Sequence, residues 1–334
     1  PLDGAATAAL SGRPAPADPA VDTAPLVVDL ADVIAFFRHP AQHVLRRQLD
    51  VELPADAAAL ADREPLELDP LARYAVGDAV LADLLAGRSP AVAAARARAA
   101  GLTPLGAPGA VALAPIVAQA RLIADAAAPW LAAPPEPPLA VALPLPGAGA
   151  TLVGALAERR GGALVRCGYA RVDPARSLDL WIGHVVLCAV AADGGAPAPT
   201  SRRIGRPVVD GKTPAAGTLS FGPVDAPHDV LATLVRLYLA GRTRWLPFLP
   251  RTSLAYADAA DRAAALRAAR QAFEPPAFGG RSGEGDDAWV RLALGDLDPF
   301  ADDADPAWTA AFTAVAHAVY DPLIAARAAA EAAP

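Results

Sequence analysis

The sequence predicts an α/β fold, a mixed sheet flanked by helices with additional helices at its N- and C-terminal ends. Three observations predict it. Runs at Leu139–Leu145, Thr151–Glu158 and Ala163–Tyr169 carry the apolar content of strands. Two turn signals, Arg160-Gly161-Gly162 and Asp210-Gly211, have the composition of hairpins. Segments with apolar residues at helical spacing lie before and after this block.

Residues 1–24 are studded with proline and lack hydrophobic periodicity, which predicts a flexible linker. The chain opens at Pro1, contains no Met and shows no basic then apolar leader, so this start reads as a cut inside a longer protein. Residues 25–334 are expected to form one domain, with a helical part at 25–108, an α/β core at 109–250 and a mainly helical part at 251–334. Leu30, Val33, Ile34 and Phe37 fall on one helical face. His39-Pro40 then breaks and restarts the helix, and Val44, Leu45 and Leu49 form the next stripe. Asp69-Pro70 and Ser89-Pro90 each place a capping side chain before a proline suited to the first helical position. Gly87 and Gly101 sit where such helices end, giving helices at about 70–86 and 90–100. A longer helix is expected from Gly109 to Leu131, ended by the proline-rich stretch 134–138. After the three strands, Asp173-Pro174 is expected to start a helix through Trp181, Val185 and Cys188. A second hairpin joins Ile204–Val209 to Thr213–Phe221, Asp225 is expected to cap a helix ending at Gly241, and Trp245–Leu249 reads as a strand.

Composition narrows the function classes. The apolar fraction is 54%, but alanine supplies much of it and aromatics are only 5%. A spanning helix needs about 20 apolar residues. The candidate stretches read as too short, or as interrupted by Arg121, Asp125 or prolines, so a soluble chain with no membrane partner is expected. Cys167 and Cys188 are the only cysteines, too few for a disulfide framework or a four-cysteine zinc site, and a reducing cytoplasm fits. Net charge is −7, yet residues 151–251 carry 13 basic against 7 acidic side chains. That middle section can face phosphates, whereas the remainder, at −13, repels them.

The order of helix, three strands, helix and strand over 109–209 is that of the PD-(D/E)xK nuclease core. More specific are several spaced motifs: Phe36-Phe37-Arg38-His39-Pro40, Glu64-Pro65-Leu66-Glu67-Leu68, Leu71-Ala72-Arg73-Tyr74 and Gly101-Leu102-Thr103-Pro104-Leu105-Gly106-Ala107. Further on come Leu180-Trp181-Ile182-Gly183-His184, Leu249-Pro250-Arg251 and Gly283-Glu284-Gly285-Asp286-Asp287-Ala288-Trp289. In this order, over about residues 25–325, they resemble the C-terminal domain of the RecC family, the gamma subunit of exodeoxyribonuclease V.

The resemblance implies a nuclease-like fold that has lost its catalytic residues. It implies a scaffold within a RecBCD helicase/nuclease complex of double-strand-break repair, one that binds RecB-like helicase-nuclease and RecD-like helicase subunits and helps part and channel DNA strands. The competing expectation is an active metal-dependent nuclease of the RecB type. Such enzymes place a His on the first core helix, an Asp after a strand glycine and an Asp-x-Lys on the next strand. A divalent metal held there activates water. Here those positions fall on Leu113, Ala157, Arg166 and Gly168. Glu158, the one nearby carboxylate, reads as a solvated strand end. No catalytic residue, metal site or cofactor is expected in this chain, and ATP and Mg²⁺ are implied only for the partner subunits.

Other chemistry finds little support. Asp210-Gly211-Lys212 spells D-x-K around the only lysine, but Asp-Gly favours a turn. Glu284, Asp286 and Asp287 read as helix-start acids. His39, His43, His184, His228 and His317 are read as lacking His-x-x-x-His or His-Cys ligand spacing, and His39 as a capping or packing residue. No phosphate-cradling glycine loop is present, and Ser220 and Ser253 lack a nucleophile elbow. Arg38, Arg46, Arg47, Arg159, Arg160, Arg202, Arg203 and Arg206 are the candidate DNA or partner contacts, weighed against a merely solvated basic face.

Overall fold

A computed structural model describes residues 26–53, 68–207, 214–243, 245–274, 282–295, 297–301 and 304–332. The segment 1–24, most of the Glu64–Leu68 motif and the Asp210-Gly211-Lys212 turn lie outside the described residues.

β1 (Leu26–Asp29) leads directly into α1 (Leu30–Arg38), because the Asp29 carboxylate accepts from Ala31 N at 2.7 Å and caps the helix. At the expected break, His39 Nδ1 accepts from Gln42 N at 3.2 Å and Pro40 opens α2 (Pro40–Gln48). Asp69 and Ser89 cap α3 (Pro70–Leu85) and α4 (Pro90–Ala99) in the same manner. α5 (Gly106–Leu131) follows and turns a single seam inward: Gly109, Leu113, Ile116, Ala120, Ile123 and Ala127.

The strands form two mixed sheets rather than one. In the first, β3 (Ala150–Leu156) is central, parallel to β1 and antiparallel to β2 (Leu139–Leu145). In the second, the order is β4 (Arg159–Arg160), β5 (Ala163–Arg171), β6 (Ser201–Arg206) and β7 (Gly217–Phe221). The strand expected over Thr151–Glu158 therefore does not pair along its length with Ala163–Tyr169. Glu158 takes a left-handed φ of 58°, which turns the chain out of the first sheet, and only the short β4 forms the hairpin with β5. Glu158 still contributes its carbonyl, accepting from Val165 N at 3.0 Å.

β5 and β6 are parallel, so a crossover must join them. It is α6 (Leu178–Asp193), preceded by a short 3-10 turn at Ala175–Ser177 where Asp173 caps Ala175 N at 2.9 Å. α6 is buried continuously from Leu180 to Ala189 between the two sheets, α1 and α7 (Pro227–Gly241). Asp225 does not cap α7. That helix starts from Ala226, at φ 45°, without a side-chain acceptor. Trp245–Leu249 is not a strand: Leu246, Phe248 and Leu249 are buried, and side-chain packing rather than a ladder holds this extended segment. α8 (Pro250–Ala257), α9 (Arg262–Phe273), α10 (Ala288–Leu294) and α11 (Pro306–Ala332) complete the described chain.

α5, and α6 taken with the 3-10 turn before it (Ala175–Asp193), are each long and apolar enough to cross a membrane by length and composition, which corrects the expectation that such stretches are too short or too interrupted. The burial of α6 inside the principal core accounts for its apolar character, and α5 buries one seam against α3, α4 and β5.

Two close contacts fix the layers. α3 lies on β5 through Gly77, where an added Cβ would stand 2.1 Å from the Tyr169 ring. His184 is fully buried on α6, with Nε2 2.8 Å from Gly222 O and Nδ1 2.8 Å from Ser201 Oγ. A carbonyl only accepts, so Nε2 carries the proton and the serine hydroxyl donates to Nδ1. Cys188 Sγ lies 3.5 Å from the same Nε2, one helical turn on. The sequence reading overlooked this His-x-x-x-Cys pair, and likewise the His-x-x-x-His spacing of His39 and His43. The His184–Cys188 pair is a core contact: among the described residues no third His, Cys, Asp or Glu joins it to make a metal-holding group.

Two expectations follow from these contacts. Gly77→Ala should destabilise the fold by about 1–3 kcal/mol through overpacking, read from chemical unfolding. Adding Tyr169→Ala should return part of that loss, whereas strictly additive losses would show that the two residues do not meet. Desolvation lowers the His184 pKa from 6.5 to about 4, with the Gly222 hydrogen bond opposing. Its contribution is thus fully present above pH 6.5 and is lost as pH falls from 6.5 towards 4, where only the unfolded chain takes up the proton. Across that window the loss is about 3 kcal/mol. A His184→Gln variant, lower in stability throughout, should lack this component of the pH dependence.

Candidate functional site

Strand alternation divides β5 between two layers. Leu164 faces the α6 core, while Val165 and Tyr169 face the core of α3 and α5. Arg166 follows Leu164 onto the α6 side, and the parallel register sets Arg203 of β6 beside it. Like charges on neighbouring strands repel. Asp179, in the first turn of α6, lies between them. Arg203 Nη2 is 2.8 Å and 2.7 Å from the two Asp179 oxygens, and Arg166 Nη1 donates to the same carboxylate. The Arg166 Nε is also 2.8 Å from Glu158 Oε2. These groups border a cavity of ≈ 450 Å³ that Arg38, Tyr74 and Gly168 also line.

Of the four positions on which the resemblance places the nuclease roles, Arg166 and Gly168 reach this cavity. Leu113 is buried in the core on the opposite face of β5, with Val165 and Ile204, and Ala157 is exposed beyond the end of β3. The donor set does not fit a divalent metal. Both nearby carboxylates, Glu158 and Asp179, are bound to guanidinium groups, and a metal ion would have to displace Arg166 and approach Arg203. Glu158, exposed beyond the end of β3 as expected of a solvated strand end, is also an ion-pair partner of Arg166. The sequence reading missed Asp179, which lies 13 residues from Arg166 and carries no local motif.

The candidate contact arginines divide into two groups. Arg159 pairs with Glu136 at 2.7 Å, and Arg160 donates to the carbonyls of Leu131 and Ala133 at 3.3 and 2.6 Å, at the end of α5. Arg202 stacks on the half-exposed Trp130 ring at 3.6 Å, and desolvation lowers its pKa. Arg206 donates to Tyr169 O at 2.9 Å and covers that ring. With Arg203 on Asp179, all five are half-buried and engaged within the fold. Arg38, Arg46 and Arg47 are exposed on α1 and α2. Arg47 pairs with Asp32 at 2.9 Å, and Arg46 lies 5.9 Å from the Trp289 ring centroid.

The acidic motif near the C-terminus is used at helix starts, though not only at its own. Asp287 accepts from Trp289 N and Val290 N and caps α10, and it lies 3.2 Å from His39 Nε2. Glu284 reaches back to α8, accepting from Arg251 N and Thr252 N at 3.0 and 2.7 Å, and burial pushes its pKa up. Nothing local to Glu284 marks a partner more than thirty residues away.

The family model described as the RecC C-terminal domain matches residues 25–261. The "RecBCD enzyme subunit RecC" of Mycobacterium tuberculosis is 36% identical over 254 residues, which is 76% of this chain and 22% of that protein. The subunit of the same name from Mycolicibacterium smegmatis is 34% identical over 72% of the chain and 22% of its own length. The Escherichia coli one is 26% identical over 83% and 24%. The chain thus spans about a quarter or less of the length of the curated relatives it matches. On the matched extent and these identities, the chain belongs to the RecC C-terminal domain family.

Proposed function

We propose that the chain is a noncatalytic scaffold and DNA-routing domain of a RecBCD-type complex in double-strand-break repair, acting in the cytoplasm. In this reading it binds RecB-like and RecD-like subunits and helps part or channel the strands of a duplex end. ATP hydrolysis and Mg²⁺-dependent cleavage belong to those partners. One observation carries the noncatalytic part: the Arg166 guanidinium is held by Glu158 and Asp179 in the region where a nuclease of this layout needs carboxylates free for a metal. Family membership supports the rest, since the relatives are named as subunits of the RecBCD enzyme.

The purified chain should leave single- and double-stranded DNA uncut with Mg²⁺ or Mn²⁺. Cleavage that disappears on Asp210→Ala with Lys212→Ala would instead favour an active nuclease working from the second hairpin. Assembly is expected to be strong, and DNA binding by the chain alone weak and salt-sensitive. Reversing Arg46 and Arg47 to Glu should leave the thermal transition nearly unchanged, because both are exposed, while lowering co-purification with the partner subunits or DNA affinity. Reversing Arg159, Arg160, Arg202 and Arg203 should lower the unfolding temperature itself, since each has a partner inside the fold.

A further inference from the structure

Three segments far apart in sequence close around a second cavity, of ≈ 360 Å³: Arg38-His39-Pro40, Leu249-Pro250-Arg251 and Ser282 to Asp287, with Arg176 added from the turn before α6. Each of the three contains part of a motif that carries the family resemblance. Arg38, Arg176 and Arg251 bring three guanidinium groups to one concave wall. Arg38 and Arg176 are exposed and have no ion-pair partner among the described residues. Arg251 gives one N–H to Ser282 O at 3.3 Å.

Carboxylates stand in the same wall, but they are turned to peptide N–H groups. Glu284 accepts from Arg251 N and Thr252 N, Asp286 from Gly283 N at 2.9 Å, and Asp287 from the first turn of α10 with His39 alongside. Backbone dipoles at helix starts compensate such charges. Arg38 and Arg176 have no comparable compensation, while the Arg251 charge also acts on Glu284, so the cavity presents donors to an anion chiefly through the first two.

We infer that this cavity is a phosphate-binding site that takes one backbone phosphate of a single DNA strand, with Arg38, Arg176 and Arg251 as donors. The inference rests on the DNA-routing reading and gives it a place. Arginine forks match phosphate oxygens in pairs. A cavity of this size admits a group no larger than a small ligand. A flexible single strand can turn one phosphate into it, which a stiff duplex cannot do without a bending cost. Contacts of this kind hold a strand in register without reading its sequence. Arg38 also lines the cavity beside Arg166, so a strand leaving the site has a route past the degenerate centre.

The test uses the full chain with Arg38→Gln, Arg176→Gln and the double substitution, with Arg121→Gln on the far helix α5 as a control. A labelled oligothymidylate is titrated across a salt series. The double variant should bind about tenfold more weakly, with a plot of log affinity against log salt flatter by about 0.7, the slope of one phosphate contact on a single strand. Inorganic phosphate should compete with the strand in the parent and much less in the double variant. Double-variant affinity and salt slope equal to the parent's would overturn the site. So would loss of polyglutamate binding with oligothymidylate binding retained, which assigns the cavity to an acidic protein surface. Photo-crosslinking of the strand in the assembly with helicase partners separates the two levels. Crosslinks to this domain that persist unchanged in the double variant reject the cavity and keep DNA routing, while a parent with no strand crosslinks to the domain rejects both.

Discussion

The parallel pairing of β5 with β6 is the constraint on which the rest of the structure depends. Parallel neighbours cannot be joined by a tight turn, so the chain must cross from one to the other over the face of the sheet, and α6 is that crossing. The crossover helix lies between the two sheets and loses all contact with water over most of its length. This explains why a helix with the hydropathy of a membrane span occurs in a core. The polar groups of its first half with long-range partners sit where the surroundings can satisfy them. Asp179, one residue into the helix, meets arginines from both strands, and His184, a turn later, ties β6 to the segment after β7.

The same constraint decides what happens to charge. A basic excess over 151–251 suggests a surface for phosphates when only composition is considered. Folding spends most of the candidate arginines of that segment internally, on Glu136, Asp179, Tyr169, Trp130 and the carbonyl end of α5. Two guanidinium groups roughly 5 Å apart repel by ~3 kcal/mol at an effective dielectric near 20. A carboxylate between Arg166 and Arg203 is therefore a structural requirement of the register, and Asp179 meets it.

What was legible in the sequence was local. Capping at Asp69, Ser89 and His39 needs only residues within three positions, and the proline that follows each cap fixes where the helix begins. The end of α5 at Leu131, ahead of the proline-rich stretch 134–138, was equally plain. The division into two sheets was not, because it turns on one left-handed residue, Glu158, in a stretch whose apolar pattern otherwise continues as a strand. β1 was missed because four residues are too few to establish alternation before the helix period takes over. Asp225 and Asp287 look alike as caps, yet only Asp287 serves as one, since the backbone ahead of α7 turns left-handed at Ala226 and offers no side-chain acceptor. Asp179 and Glu284 act across 13 to 33 residues, and no window of sequence contains both ends of such a contact.

Carboxylates that a fold brings together repel each other unless a cation lies between them. Here the end of β3 and the start of α6 bring Glu158 and Asp179 to the same residue of β5. A cation between them restores the balance. A guanidinium from β5 does so with a permanent charge, through a hydrogen bond to Asp179 and an ion pair with Glu158. Arg166 thus supplies the cation that joins the end of β3 to the start of α6. Arg38, exposed at the end of α1, lines both cavities and presents its cationic group to each.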